Sequence, residues 1–297
     1  TFADFEKMKY WLPVDMYFGG SEHTTLHLLY SRFWHKFFFD LGLVPTEEPY
    51  QWRMNGGILL GPDGEKMSKS RGNILNPDEK IEQYGADALR MYVNFMGPYD
   101  GTIMWQEGGI KACKKVIEDI YGLREKVSDQ ENSEEVVRAL NKMIKNVTRM
   151  IDELKTNTAI SEIMVFTTLL KKQEVVNKEV WSAFLRVVAP FSPFITEELW
   201  QETFVKVRQA HHDFSKEDSV HLQDWPKFDE KLAQDDSVVI GIQINGKTRA
   251  EIEVTKEDTS DQVKERVMAM PEVQKWIEGK VIKKFIYVPN KIVNVVI

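Results

Sequence analysis

Residues 64–73 read Gly-Glu-Lys-Met-Ser-Lys-Ser-Arg-Gly-Asn. Lys66 and Lys69 stand among small hydroxyl residues, and Gly64 and Gly72 bracket them, so the backbone is free to bend sharply on both sides. Such a loop suits a polyphosphate. Its ammonium groups offset the negative charge, while hydroxyls and backbone N–H groups donate to the oxygens. A solvated surface turn is the plainer reading of the same run. A second group of candidates, Glu22, His23 and His27, follows Gly19-Gly20. Glu22 also reads as an acid favoured by a helix start. His23 and His27, four apart, imitate a metal pair for which no third ligand can be named.

The elements around these residues say what holds them. Tyr10 to Phe18 is apolar and β-prone, ends in the diglycine, and has Pro13 near its start. Leu26, Leu29, Tyr30, Phe33, Trp34, Phe37 and Leu41 then recur at mostly helical spacing, with Gly42 as a C-cap. Strand, diglycine turn and helix in that order put Glu22, His23 and His27 beyond the carboxyl end of a strand, where open α/β sheets bind nucleotides. Met54 to Leu60 reads as a short strand leading into the lysine loop, whereas 45–53 offers no signature. After the loop, Asn76-Pro77-Asp78-Glu79 has the N-cap, N1 and N3 residues of a helix start. Gly85 then separates that helix from another, with Asp87 expected as its cap and Asp87 and Arg90 as structural residues.

The chain has 297 residues, 42% hydrophobic, enough for two or three cored domains. It contains no apolar run of membrane-spanning length. The start lacks a basic segment followed by an apolar one, so no secretory signal is visible. A single cysteine, Cys113, allows neither an internal disulfide nor a multi-cysteine zinc site. Cytoplasm is therefore the expected compartment. The net charge of −7 argues against indiscriminate coating of nucleic acid, though not against a local basic patch.

From Trp105 onward the period is helical: 105–127, 133–156, 159–170 and 180–188, a break at Ala189 to Pro193, and a restart at Thr196. A helix bundle is expected. His211, His212 and His221 sit in polar surroundings and read as solvent-exposed. The pattern changes again near 236. Val238 to Ile244 and Lys247 to Val254 flank Asn245-Gly246, a strong hairpin signal. Helices from Ser260 and Pro271 and two terminal strands complete a small α+β unit. From 238 onward, ten Lys/Arg stand against eight Asp/Glu.

Lys66 to Ser70, with Gly72-Asn73 after it, resembles the second signature of class I aminoacyl-tRNA synthetases. Residues 19–36, beginning Gly-Gly-Ser-Glu-His-Thr-Thr-Leu-His, resemble the adenosine-binding element of the leucyl-tRNA synthetases in particular; isoleucyl and valyl relatives usually carry a Gly-Ser-Asp-Gln type sequence there. Residues 84–92 resemble the class I pattern beyond the loop, and 190–200 resembles the anticodon-binding bundle of the leucyl, isoleucyl and valyl enzymes. Residues 244–249 with 286–291 are similar to the C-terminal domain of bacterial-type leucyl enzymes. Arg71 stands where many relatives have Lys.

The resemblance implies a class I arrangement in three parts, α/β, all-α and α+β. They are the second half of a Rossmann-type nucleotide-binding domain (1–104), a bundle of anticodon-binding type (105–235) and a small tRNA-binding domain (236–297). It implies ATP, with Mg²⁺ accompanying it, as well as leucine and tRNA(Leu). Gly19, Gly20, Glu22 and His27, with His23 beside them, would line adenosine and its ribose. Met67, Ser68, Lys69 and Ser70 would meet the phosphates, and Lys66 and Lys69 would act in catalysis. Lys247 and Arg249 would contact RNA phosphates. The six histidines include no His-x-Gly-His, the first signature of the class. That signature, the first half of the nucleotide fold and the editing insertion are expected upstream of Thr1, in the same chain or a complementary subunit. The competing readings are a non-catalytic tRNA-binding module and a nucleotidyltransferase with the same loop, the latter disfavoured by the helices that follow it.

Overall fold

The computed structural model describes residues 3–205, 218–234, 237–255, 258–289 and 291–297. His211 and His212 lie outside them. The chain divides into two compact units, Thr1–Ala233 and Gln234–Ile297.

The first unit opens with helix α1 (Phe5–Trp11), which Asp4 caps by accepting from the Glu6 and Lys7 amides. Tyr10 and Trp11 therefore finish a helix and do not begin the strand expected from Tyr10. Strand β1 starts at Val14, beyond Pro13, and runs through both glycines (Val14–Gly20). Ser21–Thr24 makes a single 3-10 turn, and α2 (His27–Asp40) follows, closing on Leu41 and a left-handed Gly42.

Strand β2 (Tyr50–Gly56) pairs with β1 in parallel, with Tyr17 opposite Arg53 and Gly20 opposite Gly56. It starts inside the segment that offers no sequence signature, because Gln51, Arg53 and Asn55 interrupt any apolar run. The chain breaks at 57–58, and β3 (Leu59–Leu60) pairs instead with β4 (Ile103–Met104). Gly57 makes that break possible. Its amide donates to Tyr99 O at 2.8 Å, and a Cβ there would fall 1.7 Å from Gly101 O.

Helices α3 (Pro77–Tyr84) and α4 (Ala86–Phe95) follow, with Asn76 capping α3 as expected. The described residues from Glu107 to Phe204 are mostly helical: α5 (Glu107–Gly122), α6 (Glu134–Asp152), α7 (Thr156–Lys172), α8 (Lys178–Val188) and α9 (Pro193–Phe204). A two-residue parallel bridge, β5 (Val127–Ser128) with β6 (Val176–Asn177), ties the α5–α6 and α7–α8 connections. One buried cluster joins α4 through α9, including Met91, Ile110, Ile120, Val147, Ile163, Trp181 and Phe184. Cys113 is wholly buried within it, and burial pushes its thiol up to about 12.

None of the described residues of β1, β2 and α2 belongs to that cluster. The apolar stripe of α2 faces solvent: Leu29, Phe33 and Trp34 are 62%, 68% and 53% exposed. Phe18 and Trp52 on the adjoining two-stranded sheet are exposed too.

The second unit is a four-stranded sheet in the order β8-β7-β10-β9, from β7 (Ser237–Ile244), β8 (Lys247–Thr255), β9 (Lys284–Val288) and β10 (Ile292–Val296). The expected hairpin at Asn245-Gly246 forms with positive φ at both residues, 48° and 78°. Helices α10 (Ser260–Ala269), closed by a Thr259–Gln262 capping box, and α11 (Pro271–Ile277) bury Val263, Val267, Val273 and Ile277 with Ile242, Ile252, Val254, Val293 and Val295.

Candidate functional site

The carboxyl ends of β1 and β2 lie side by side, with Gly20 opposite Gly56, and the 3-10 turn follows directly on β1. Gly19 and Gly20 end β1. A Cβ on Gly20 would lie 2.4 Å from Glu22 Oε2, so the glycine lets the Glu22 carboxylate fold back against the strand end. His23 packs beside Gly19. His27 is half-buried on the first turn of α2. Its Nδ1 is 2.7 Å from the Tyr17 hydroxyl, and its ring lies nearly parallel to that of Tyr17.

Arg53, which the sequence does not single out, fixes this corner. Its Nη2 donates to Gly20 O at 3.1 Å and its Nη1 to Thr24 Oγ1 at 2.7 Å, spanning the turn that carries Glu22 and His23. Its Nε is buried and, among the described residues, has no hydrogen-bond partner. The signal lay in β pairing, since only the register with Tyr17 brings Arg53 beneath the turn.

The lysine loop is a closed structure. Gly64 and Gly72 both take left-handed φ, 76° and 67°, so the two glycines make the bends their positions suggest. Leu60 bridges to Lys66, and Gly61 N donates to Glu65 O at 2.8 Å. Lys69–Arg71 forms a 3-10 turn, Ser68 Oγ and Ser70 Oγ lie 2.8 Å apart, and Arg71 pairs with Glu65 at 2.9 Å. Asn73 closes the loop from inside. Its Oδ1 accepts from Ser68 N at 2.8 Å, and its Nδ2 donates to both Asp63 oxygens and to Lys66 O. Lys66 and Lys69 are exposed, and Met67 and Ser68 half-buried.

The two groups meet electrostatically. Its own backbone N–H lowers the Glu22 carboxyl first, against some desolvation, and the charges of Lys66 and His23 lower it further. The charge of the loop lysine is therefore felt at the turn carboxylate. Beside them a cavity of about 410 Å³ is lined by Phe18, Gly19, Gly20, Gly56, Leu59 and Tyr99, among others. Its lining includes neither Glu22 nor the loop lysines. An imidazole and a carboxylate at a glycine-lined strand end are equipped to hold a ribose, and a loop with two exposed ammonium groups is equipped to hold a phosphate chain. Among the described residues no group of three or more His, Cys, Asp or Glu side chains is arranged to hold a metal ion, and no helix is long and apolar enough to cross a membrane.

Asp87 does not cap its own helix. The N-cap of α4 is Gly85, and Asp87 is buried against α9. Lys247 and Arg249 are exposed on β8 of the second unit. His221 is exposed, with Nε2 3.1 Å from Pro193 O.

Residues 1–106 match the family of class I tRNA synthetases for I, L, M and V, and residues 133–265 match the anticodon-binding domain of tRNA ligase. Among solved structures, the LeuRS of Agrobacterium radiobacter K84, in a ternary complex with tRNA and LeuAMS, aligns with 99% of the chain at 32% identity and a TM-score of 0.75. The chain spans 39% of that protein's length. The methionyl-tRNA synthetase of Mycobacterium tuberculosis bound by methionyl-adenylate aligns with 64% of the chain and 44% of its own, at 15% identity and a TM-score of 0.48. With a synthetase match over 1–106 and a tRNA-ligase match over 133–265, the chain belongs to the class I tRNA synthetases and fits the C-terminal portion of a leucyl-tRNA synthetase.

Proposed function

We propose that this chain supplies the second half of the active site of a leucine–tRNA ligase together with its tRNA-binding parts. The observation that carries the reading is the closed loop, bent at Gly64 and Gly72 and held by Asn73, that leaves Lys66 and Lys69 exposed, with the charge of Lys66 felt at the Glu22 carboxyl. In the reaction, a carboxylate oxygen of leucine attacks the α-phosphorus of ATP, and the bond to the β-phosphate oxygen breaks. Leucyl-adenylate forms and pyrophosphate leaves. A ribose hydroxyl at the tRNA 3′ end then attacks the activated carbonyl and releases AMP. No covalent step falls to the protein, so positioning and charge stabilisation carry the rate.

Lys69 and Lys66 offset the charge on the departing pyrophosphate, with Ser68, Ser70 and the Met67 backbone beside them. Gly19, Gly20, Glu22, His23 and His27 hold adenosine and ribose. Mg²⁺ arrives with ATP. The helical part and the second unit bind tRNA(Leu), with Lys247 and Arg249 on its phosphates.

The uncovered stripe of α2 and the exposed Phe18 and Trp52 support a further requirement. An apolar face of this kind is the seat of another layer of the same domain. We assign it to the half of the catalytic fold that carries His-x-Gly-His, in the same polypeptide or a separate subunit. The test is ATP–pyrophosphate exchange with leucine, measured with and without an added N-terminal half. Exchange only on mixing is the expected result, with Lys69→Ala depressing it at least a hundredfold while tRNA binding holds. Equal exchange in mutant and parent would remove Lys69 from the mechanism. tRNA binding without any rescue would leave the non-catalytic module in possession.

A further inference from the structure

Arg249 is the residue of β8 that its ladder leaves over. Ile242 pairs with Ala250 and Gln243 with Thr248, so Arg249 is the extra residue of a β-bulge. Bulges redirect the side chain that they displace. Here the displacement is on an edge strand, two residues from the hairpin end. The Arg249 guanidinium lies 3.8 Å from the centre of the Trp276 ring on α11. Val273 and Ile277 of that helix are buried, but Trp276 is 40% exposed. Lys280 donates to the Trp276 carbonyl at 3.0 Å, which brings a second cation to the same spot. Among the described residues Arg249 has no carboxylate partner.

A guanidinium seated over an indole at this distance, on an exposed side chain, keeps its far side and its edge N–H groups for something else. The face suits a planar π-system and the edge suits phosphate oxygens. We propose that the Arg249–Trp276 stack is a nucleobase platform. An unpaired or terminal base of the RNA rests on the outer face of the guanidinium, and Lys247 and Lys280 take neighbouring phosphates. This rests on the tRNA-binding reading given above and adds Trp276, Lys280 and the chemistry of contact to it. The slight basic surplus of residues 238–297, within a chain of net charge −7, is consistent with an anionic partner at this unit.

The test is equilibrium binding of the full chain to a tRNA(Leu) transcript over a salt series. Arg249→Lys keeps the charge and removes the plane. It should weaken binding roughly tenfold with the salt slope unchanged, and Trp276→Leu should do the same. Trp276→Phe keeps a ring and should retain most of the affinity. Lys247→Ala should instead lower the slope by about one. Circular dichroism melting of each variant identifies any loss of fold, and Arg249→Lys, which removes no core contact, decides the matter if Trp276→Leu unfolds. Parental affinity in Arg249→Lys and Trp276→Leu, with Lys247→Ala weakened, would overturn the platform and leave phosphate binding standing. A parent chain that does not bind tRNA at all would overturn both.

Discussion

Asp87 on α4 accepts from the backbone N–H of Ile195 on α9 at 2.6 Å, and from that of Phe194 at 3.2 Å, across more than a hundred residues of sequence. The carboxylate thus sits at the amino end of a helix in the bundle, where N–H groups lack partners of their own and the helix dipole favours a negative charge. Arg90 strengthens the same junction by donating to Pro190 O at 3.2 Å. The helices that follow the lysine loop are in this way fastened to the bundle by polar contacts as well as by the shared core.

Removing the Asp87 side chain leaves two N–H groups without acceptors in a buried place. Asp87→Ala should cost about 2 kcal/mol of stability, and Asp87→Asn, which keeps one acceptor oxygen, about half of that. Burial raises the Asp87 carboxyl above its ordinary value, opposed by the Ile195 and Phe194 amides and by Arg90 and His221. A raised value means that the folded chain holds the proton more tightly than the unfolded one. The group's contribution is therefore largest below the ordinary aspartate value and declines as pH rises through the folded one. Urea unfolding followed by tryptophan fluorescence between pH 3.5 and 7 measures this. The gap between parent and Asp87→Asn should narrow with rising pH, and identical midpoints for parent and Asp87→Ala would refute the contact.

Glu107 has the opposite sign. Lys80 donates to both its oxygens, and Trp105 Nε1 and Tyr84 OH donate as well, all within 3.0 Å. These groups, Lys80 foremost, hold its carboxyl at about 2. The stabilisation is present above the ordinary glutamate value and is lost as pH falls from about 4.5 towards 2. The side chain is 39% exposed, so solvent screening limits the effect to about 1 kcal/mol. Glu107→Gln should lower the melting temperature by a few degrees at pH 7 and by little at pH 3. An equal drop at both values would show that charge is not what matters there.

Asn73 should govern the order of the lysine loop. With Asn73→Ala, Ser68 N, Asp63 and Lys66 O lose their common partner, and trypsin should cut after Lys66, Lys69 or Arg71 several times faster than in the parent. Asn73→Asp keeps an acceptor for Ser68 but sets a second carboxylate against Asp63, and it should be cut at least as fast. Mass spectrometry of the early fragments reads the outcome; unchanged rates in both variants would mean that Asn73 does not set the order of the loop.

Arg53 should matter to nucleotide binding without touching the nucleotide. Arg53→Lys cannot span Gly20 O and Thr24 Oγ1 at once, so the turn bearing Glu22 and His23 loosens. In the reassembled enzyme, the ATP KM should rise about tenfold with a smaller change in kcat, parallel to the rise expected for Glu22→Ala. Parental KM values in both would count against the ribose corner.

Much of this was readable from residue types alone. The lysine loop, the cap at Asn76, the apolar stripes of α5 to α8 and the Asn245-Gly246 hairpin are local patterns, and each formed where its pattern lies. What sequence did not disclose depends on distant partners. β2 hides behind alternating polar residues that only its pairing with β1 explains. The role of Asp87 needs α9, and that of Arg53 needs Tyr17 and Gly20. The stripe of α2 has the right period, but periodicity says only that a face is apolar. It does not say which neighbour covers it.

That last feature bears on how the chain behaves when handled by itself. Side chains such as Phe33, Trp34 and Leu29, presented together on one helix, make a surface that adheres to its own kind. In dilute buffer the molecules can stay apart on their negative charge, but raised concentration or a salting-out anion removes that protection. Turbidity under those conditions would reflect this apolar face, not a faulty fold, and on the reading proposed above it should clear when the other half of the catalytic domain is supplied.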